Sequence, residues 1–136
     1  MASNKSSTLK IGDLIDVTIE KVAHGGHFIA RHDGVVIFVR HAIPGEQCII
    51  EITSTGSSFN RADVVSVAHP SEFRVQSPCQ YAHRLGCGGC DFQHSAPAHQ
   101  RTLKSDVISE QFSRSAKKEL RVDVEEVGDS LGWRTR

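Results

Sequence analysis

Three cysteines in the second half of the chain are the residues best suited to chemistry. Cys79 is followed after seven residues by Cys87, and Cys87 after two residues by Cys90, within the segment CQYAHRLGCGGCDFQH. A Cys-x-x-Cys pair lets two thiolates reach one metal ion or cluster from a tight turn, and the two intervening glycines supply the backbone freedom for that turn. The spacing therefore favours a metal or cluster site.

Several uses of three local thiols remain open on spacing alone. A structural zinc site needs a fourth ligand, for which the candidates are His83, His94, His99 and Cys48. A [4Fe-4S] cluster commonly takes one cysteine from elsewhere in the fold, which suits three local thiols better. Unligated turn cysteines are a third possibility, whereas a thioredoxin-like redox pair lacks its βαβ context. Cys48 itself is interpreted as a core residue.

Composition places the chain among globular proteins with one or two small domains. Its 136 residues carry 16 basic and 16 acidic side chains, so the net charge gives no global argument for binding nucleic acid or membrane. The first ten residues lack the apolar core of a signal peptide, and no stretch approaches the roughly 18 apolar residues of a membrane span. We therefore expect a cytoplasmic location, where clustered cysteines more often bind metal than form disulfides.

The elements upstream of the cysteines are expected to be short strands. Alternation of apolar and polar residues begins at Ile15, and an Asp-Gly pair predicts a hairpin that joins residues 27–31 to 35–39. Further along, EQCIIEI places Cys48 on an inward face, and RADVVSV forms the last strand. Five short strands without a helix predict a small barrel of the OB or SH3 type. Turns are predicted at Gly25-Gly26, Asp33-Gly34 and Pro44-Gly45.

A helix is predicted over residues 95–118, with Ser95 as its N-cap and Pro97 in its first turn. Leu103, Val107, Ile108 and Phe112 form its apolar arc. Gln100, Lys104 and Gln111 lie in the middle of this arc, so either a polar group faces them or Lys104 snorkels to solvent. After the helix, Leu120, Val122 and Val124 alternate like another strand.

The segment CGGCDFQH, residues 87–94, resembles the Cys-Gly-Gly-Cys-x-x-Gln-His signature of SAM-dependent RNA uracil-5-methyltransferases that carry a TRAM domain. HQRTLK is similar to that family's Gln-x-x-x-Lys element and covers Gln100 and Lys104. Upstream, residues 11–52 resemble the TRAM pattern, with its glycine-rich hairpin and its PGE turn. The similarity extends from about residue 9 to residue 136, and the cysteine signature is its most specific part.

The resemblance implies that Cys79, Cys87 and Cys90 are three of four ligands of a [4Fe-4S] cluster with a mainly architectural role. In the family, the fourth cysteine, the SAM-binding loop, the nucleophilic cysteine and the catalytic base all lie beyond the equivalent of Arg136. We therefore expect a truncated gene product or an excised fragment that is catalytically incomplete, with SAM needed by the parent enzyme only. Its expected partner is RNA, either tRNA or rRNA, with no DNA, no membrane and a monomeric state.

A small barrel can hold RNA with basic side chains that contact phosphates and aromatic side chains that stack on bases. Phe28 or Phe59 is the candidate for stacking, and Arg134 and Arg136 lie on one face of a potential strand in GWRTR. The predicted RNA-binding residues are Lys21, Arg31, Arg40, Arg61, Gln100, Lys104, Arg134 and Arg136.

The sequence thus predicts a mainly β fold: a five-stranded OB-like TRAM barrel, a Cys-rich loop and one helix, ending at the start of a central domain. The expected division is a disordered N-terminus at 1–8, the barrel at 9–68, the connector and cysteine loop at 69–94, the helix at 95–118 and the central-domain start at 119–136. Two alternatives remain. One is a stand-alone zinc-stabilised RNA-binding module, and the other is a protein-interaction domain whose helix docks on a partner through the arc that contains Lys104.

Overall fold

The computed structural model describes residues 8–135, in which one curved β-sheet precedes a connector, the cysteine segment and a helix. The sheet order is β1-β5-β6-β4-β3-β2, and every neighbouring pair is antiparallel except β4 with β6. The predicted disordered segment 1–8 lies almost wholly outside the described residues, as does Arg136. The strands are β1 Leu14–Thr18, β2 Lys21–Val22, β3 Phe28–His32, β4 Val35–Arg40, β5 Gln47–Ser54 and β6 Asn60–His69.

The Asp33-Gly34 turn organises the hairpin of β3 and β4, as predicted. Asp33 and Gly34 have φ angles of 49° and 78°, the left-handed pair that a two-residue hairpin turn requires and that Asp-Gly adopts readily. Pairing runs from Phe28 opposite Val39 to His32 opposite Val35. The local sequence therefore sets the register of this hairpin.

The mainly β, OB-like class is confirmed, but the expected five-stranded closed barrel is wrong in two respects. The sheet has six strands, because Lys21–Val22 pairs with β3 as a separate two-residue strand. Among residues 8–135, no strand pairing joins the edge strands β1 and β2, so the sheet is open. Ile19 and Glu20 connect β1 to β2. At these two residues the chain leaves its pairing with β5 and begins to pair with β3. A strand of two residues is too short to show a sequence period.

The core lies on the inner face of the curved sheet. Alternate residues of each strand point inward, and Phe28, Ile37, Cys48, Ile50 and Ile52 are fully buried. Burial raises the pKa of the Cys48 thiol to about 11, and the nearby Glu46 charge adds to this shift. The interpretation of Cys48 as a core residue is confirmed.

The helix α1 spans Pro97–Gln111 and continues into a π-helical turn at Phe112–Ala116. Pro97 occupies the first turn as predicted, but the N-cap is Ala96 rather than Ser95, since Ser95 is drawn into the core. Leu103 is buried and joins the sheet core. Within residues 8–135 no helix is long and apolar enough to cross a membrane.

The strand expected around Leu120–Val124 is not formed. This segment lies along α1, where the Ser105 hydroxyl donates to the Val122 carbonyl and Arg121 contacts Asp106 at 2.6 Å. Arg101 and Glu126 lie 3.9 Å apart further along. This segment therefore has no neighbouring strand to pair with, and it packs along α1 instead.

Candidate nucleic-acid interface and cysteine loop

One row of side chains crosses four neighbouring strands on the outer face of the sheet. Lys21 on β2 lies opposite Ile29 on β3, Ile29 opposite Phe38 on β4, and Phe38 beside Arg61 on β6. Paired residues point to the same side of a sheet, and their strand neighbours Phe28, Ile37 and Ala62 are buried on the other side. The row therefore presents two cations at its ends and apolar groups between them.

Arg31 and Arg40 belong to the same outer face. Arg31 pairs with Val36 and Arg40 with Asp63, so both lie two residues from the central row along their strands. The structure thus brings together the four predicted RNA-binding residues of the barrel. We call this surface the outer basic face, defined by Lys21, Ile29, Arg31, Val36, Phe38, Arg40 and Arg61.

Three of these four cations have a carboxylate nearby. Lys21 pairs with Glu110 of α1 at 2.8 Å, Arg31 with Glu20 at 3.5 Å and Arg40 with Asp91 at 2.9 Å. Arg61 has no carboxylate partner among residues 8–135; its guanidinium lies 5.4 Å from the Phe59 ring centroid and 3.2 Å from His27 Nε2. Arg61 is therefore the cation of this face whose charge is left for a ligand.

Aromatic rings surround Arg61. Phe59 is 39% exposed and meets the Phe38 ring edge-on, with centroids 5.1 Å apart. The alternative stacking candidate, Phe28, is wrong, because it is fully buried and packs against Phe92 and His94. Sequence reasoning missed Phe38, although strict alternation in VVIFVR places it on the same side as Arg40.

His27 also borders this cluster and was missed. A guanidinium can only donate, so Arg61 donates to His27 Nε2 and the proton of the neutral ring resides on Nδ1, which is buried without a hydrogen-bond partner. Burial lowers the pKa of His27, and the Arg61 charge lowers it further. The ring is therefore neutral at pH 7.

The connector is fixed to the sheet through a buried ion pair. Glu46 is 0% exposed, and its carboxylate accepts hydrogen bonds from the backbone nitrogens of Ile43 at 2.7 Å and Ser71 at 3.1 Å. Arg74 donates Nε to the same carboxylate at 2.7 Å and Nη2 at 2.8 Å, and Nη2 also reaches the His41 carbonyl. These bonds hold the connector, at Ser71 and Arg74, against the segment that joins β4 to β5.

Further contacts attach the cysteine loop itself. His94 is buried and donates Nε2–H to the Ala42 carbonyl at 2.6 Å, while Arg84 pairs with Glu51 of β5. Asp91 lies so close to Gly26 that a Cβ there would be 2.7 Å from its carboxylate oxygen. Glycine is thus required at position 26 by this approach as well as by its φ angle of 81°. The loop and the barrel form one packed unit.

The three cysteines of the loop are exposed free thiols. The Gln93 amide links two of their positions, because its Oε1 accepts from the Cys79 backbone nitrogen at 3.1 Å and its Nε2 donates to Cys90 Sγ at 3.1 Å. However, residues 8–135 contain no group of three His, Cys, Asp or Glu side chains arranged to hold a metal ion. Ligation would therefore require the loop to draw its sulfurs together.

The candidates for a fourth zinc ligand are placed elsewhere. Cys48 lies in the core, and the Nε2 atom of His94 is committed to the Ala42 carbonyl. His99 stacks on Phe73 with ring centroids 4.0 Å apart, and His83 Nδ1 is 2.7 Å from the Arg84 carbonyl oxygen. The described residues therefore give no support to a preformed zinc site.

The remaining predicted RNA-binding residues lie around the start of α1. Gln100 donates Nε2 to the Ser95 carbonyl at 2.8 Å, and Lys104 is exposed beside Glu125 and Glu126. The polar part of the helix arc thus faces the following segment of this chain, which weakens the reading of α1 as a free docking helix. Arg134 lines a cavity with Gln100, and Arg136 lies outside the described residues.

Comparison with known proteins gives a consistent assignment. The TRAM domain family matches residues 9–65. An uncharacterized RNA methyltransferase of Streptomyces coelicolor is 46% identical over 78% of this chain and 24% of its own length. The 23S rRNA (uracil(1939)-C(5))-methyltransferase RlmD of Shewanella amazonensis is 34% identical over 93% of this chain and 28% of its own length.

Among solved structures, a conserved protein of Methanococcus maripaludis is 34% identical to this chain, covering 48% of it and 100% of that protein with a TM-score of 0.41. The chain spans about a quarter of the length of the two curated relatives described above. Residues 9–65 match the TRAM domain family, and the chain is similar to part of the length of proteins named RNA methyltransferases.

Proposed function

We propose that this chain is the N-terminal, RNA-binding part of an RNA (uracil-C5)-methyltransferase, and that the outer basic face is where RNA binds. The observation that carries the proposal is the convergence of Lys21, Arg31, Arg40 and Arg61 on one face of a TRAM domain, around Phe38. In the parent enzyme the methyl donor would be SAM. The substrate would be a uridine of tRNA or rRNA, and the relative named a 23S rRNA methyltransferase supports rRNA.

The chemistry of the face suits an RNA segment with unpaired bases. Cations that contact phosphates provide affinity without sequence preference, and exposed rings offer stacking surfaces to any base. Arg61 combines both features, since it lies over the Phe59 ring and lacks a carboxylate partner within residues 8–135. Arg61 is therefore the residue whose removal should weaken binding most on this face.

The first test measures salt dependence. Replacing Arg61 with alanine should weaken binding of single-stranded RNA about 3- to 10-fold at low salt, because one phosphate contact is lost. The slope of log affinity against log salt concentration should become shallower by roughly 0.7, the value for one contact to a single strand. Fluorescence anisotropy with a labelled oligonucleotide over a salt series gives both quantities.

Arg121→Ala is the matched control for this experiment. It makes the same charge change at an exposed arginine that pairs with Asp106 of α1, away from the outer basic face. For this control variant, the slope of log affinity against log salt concentration should equal that of the unmodified chain within experimental error. Equal losses in both variants would show that only net charge matters and would contradict the assignment of RNA binding to this face.

Cys79, Cys87 and Cys90 would supply three ligands of a [4Fe-4S] cluster in the parent enzyme, which would fix the loop rather than carry out redox chemistry. The Cys-x-x-Cys spacing of Cys87 and Cys90 supports this role, and the loop would have to draw the three sulfurs together to hold the cluster. The fourth ligand would come from outside the chain, so any cluster formed on the chain itself should be labile. The domain division given above and a monomeric, cytoplasmic state belong to the same proposal.

The cluster proposal is tested by anaerobic reconstitution with iron and sulfide. The chain should gain a broad absorption band in the blue region, and Cys87→Ser should lose most of it because one of three ligands is removed. Cys48→Ala, which changes a core thiol, should keep the band per folded molecule. A stoichiometric colourless zinc site in metal analysis would instead favour the zinc-stabilised module.

A further inference from the structure

Arg61 differs from the other three cations of the outer basic face in the group that holds it. Lys21, Arg31 and Arg40 each lie near a carboxylate. The Nη1 atom of Arg61 instead donates to the uncharged Nε2 atom of His27 at 3.2 Å. A carboxylate partner offsets the positive charge that a phosphate would meet. An imidazole nitrogen orients the guanidinium and leaves its charge in place.

The His27 ring is held in a fixed position on the face. It meets the Phe38 ring edge-on with centroids 6.4 Å apart, and its backbone carbonyl accepts from the Ala23 nitrogen at 2.7 Å. The preceding residue, Gly26, packs directly against the Asp91 side chain. Contacts from β4 and from the cysteine loop therefore fix both the ring and the turn that leads into it.

The second ring nitrogen of His27 shows that this arrangement is unfavourable for the free chain. Because Nε2 accepts from Arg61, the proton of the neutral ring is on Nδ1, which is buried without a hydrogen-bond partner among the described residues. Such groups are rare and destabilise a fold. Burial and the Arg61 charge lower the pKa of His27, Asp91 raises it and Arg40 lowers it, with a net decrease. His27 therefore remains an acceptor at pH 7.

Arg61 is exposed, so without His27 its long side chain would have to be ordered when RNA binds. A side chain that is already oriented in the free protein avoids this loss of affinity. A guanidinium has five N–H donors, so the bond to His27 leaves donors for a phosphate. We infer that His27 is a positioning residue for RNA binding, a neutral acceptor that orients Arg61 for a phosphate without reducing its charge. This inference rests on the proposed function.

Replacing His27 with alanine should weaken binding of a labelled oligouridine about 2- to 10-fold at pH 7, the effect of ordering one long side chain. Because Arg61 can still reach its phosphate, the slope of log affinity against log salt concentration should not change. In an Arg61→Ala background the same replacement should not change the affinity, since the residue that His27 positions is absent. His24→Ala, at an exposed histidine of the same turn, is the matched control and should bind like the unmodified chain.

Two variants of nearly equal size separate positioning from a merely structural role. His27→Gln keeps a neutral acceptor, so its affinity should stay within about 2-fold of that of the unmodified chain. His27→Glu places a carboxylate beside Arg61, so binding should weaken and the salt slope should become shallower by roughly 0.7, the value for one contact to a single strand. Circular dichroism at increasing temperature shows that each variant is folded.

Three results would overturn the inference: unchanged affinity in His27→Ala, an equal loss from this replacement in the presence and absence of Arg61, or equal affinities in His27→Gln and His27→Glu. If Arg61→Ala still weakens binding in any of these cases, the proposed function stands. Failure of the unmodified chain to bind the oligouridine at low salt would overturn both.

Discussion

Replacing Glu46 with alanine should lower the free energy of unfolding by about 3–5 kcal/mol, the range for breaking a buried ion pair from one side. Glu46 accepts hydrogen bonds from two backbone nitrogens and from two nitrogens of Arg74. Its removal leaves three of these donors without their acceptor and Arg74 with only the His41 carbonyl. Urea unfolding at pH 7, followed by circular dichroism, measures the loss.

Glu20→Ala is the matched control, since Glu20 is 45% exposed in its side chain and lies 3.5 Å from Arg31. An exposed pair of this kind contributes about 0–1 kcal/mol, so the control should be nearly neutral. A loss below about 1 kcal/mol for Glu46→Ala as well would contradict the view that this pair fastens the connector to the sheet.

The same carboxylate predicts a loss of stability in acid. Burial alone raises the pKa of Glu46, but the hydrogen bonds and charge of Arg74, with the two backbone donors, outweigh burial and leave the pKa below its ordinary value of 4.5. A lowered carboxyl pKa means that the stabilisation is complete above pH 4.5 and is lost as pH falls through the folded-state value. Glu46→Gln should therefore flatten the pH dependence of unfolding below that pH.

Stability should also fall between pH 7 and pH 5, by about 2 kcal/mol, because of His94. Burial lowers the pKa of His94 to about 4, helped by the Arg74 and His41 charges, while the hydrogen bond to Ala42 and the Glu46 charge oppose the shift. The unfolded chain takes up this proton near pH 6.5 and the folded chain does not, so the native state loses stability as pH falls from 6.5 towards 4.

Urea unfolding curves at pH 7 and pH 5 test this prediction. His94→Gln keeps an amide donor for the Ala42 carbonyl but cannot titrate, so it should remove most of the pH dependence. His41 and His27 also have lowered pKa values from burial, so a smaller dependence of the same sign will remain. His69→Gln, at an exposed position, should keep the full dependence; a full dependence in His94→Gln would contradict the assignment.

Local signals in the sequence predicted local structure. The Asp33-Gly34 turn and the alternation in EQCIIEI placed the β3–β4 hairpin and the inward face of β5 correctly, because turn geometry and side-chain period depend on neighbouring residues only. Period two could also have excluded Phe28, since residues three apart in a strand, such as Phe28 and Arg31, point to opposite faces.

Features that depend on distant parts of the chain could not be predicted. The absence of closure and the separate strand β2 follow from which strands meet, and the parallel β4–β6 pairing joins segments more than twenty residues apart. The Cys-x-x-Cys spacing located the loop, but the attachment of the preceding connector through Glu46 and Arg74 has no local pattern. Ser95 was predicted as the helix cap, because its complete burial, which leaves Ala96 at the cap position, is not visible in sequence.

The shortness of β2 has a consequence for how the chain behaves at high concentration. Any sheet that is not closed exposes strand edges that can recruit another molecule and begin aggregation. Here the edge strand β2 is only Lys21–Val22, a charged residue and one other, and the opposite edge strand β1 carries Asp16 at its centre. A two-residue strand and a strand with a central charge are both poor templates for adding a foreign strand.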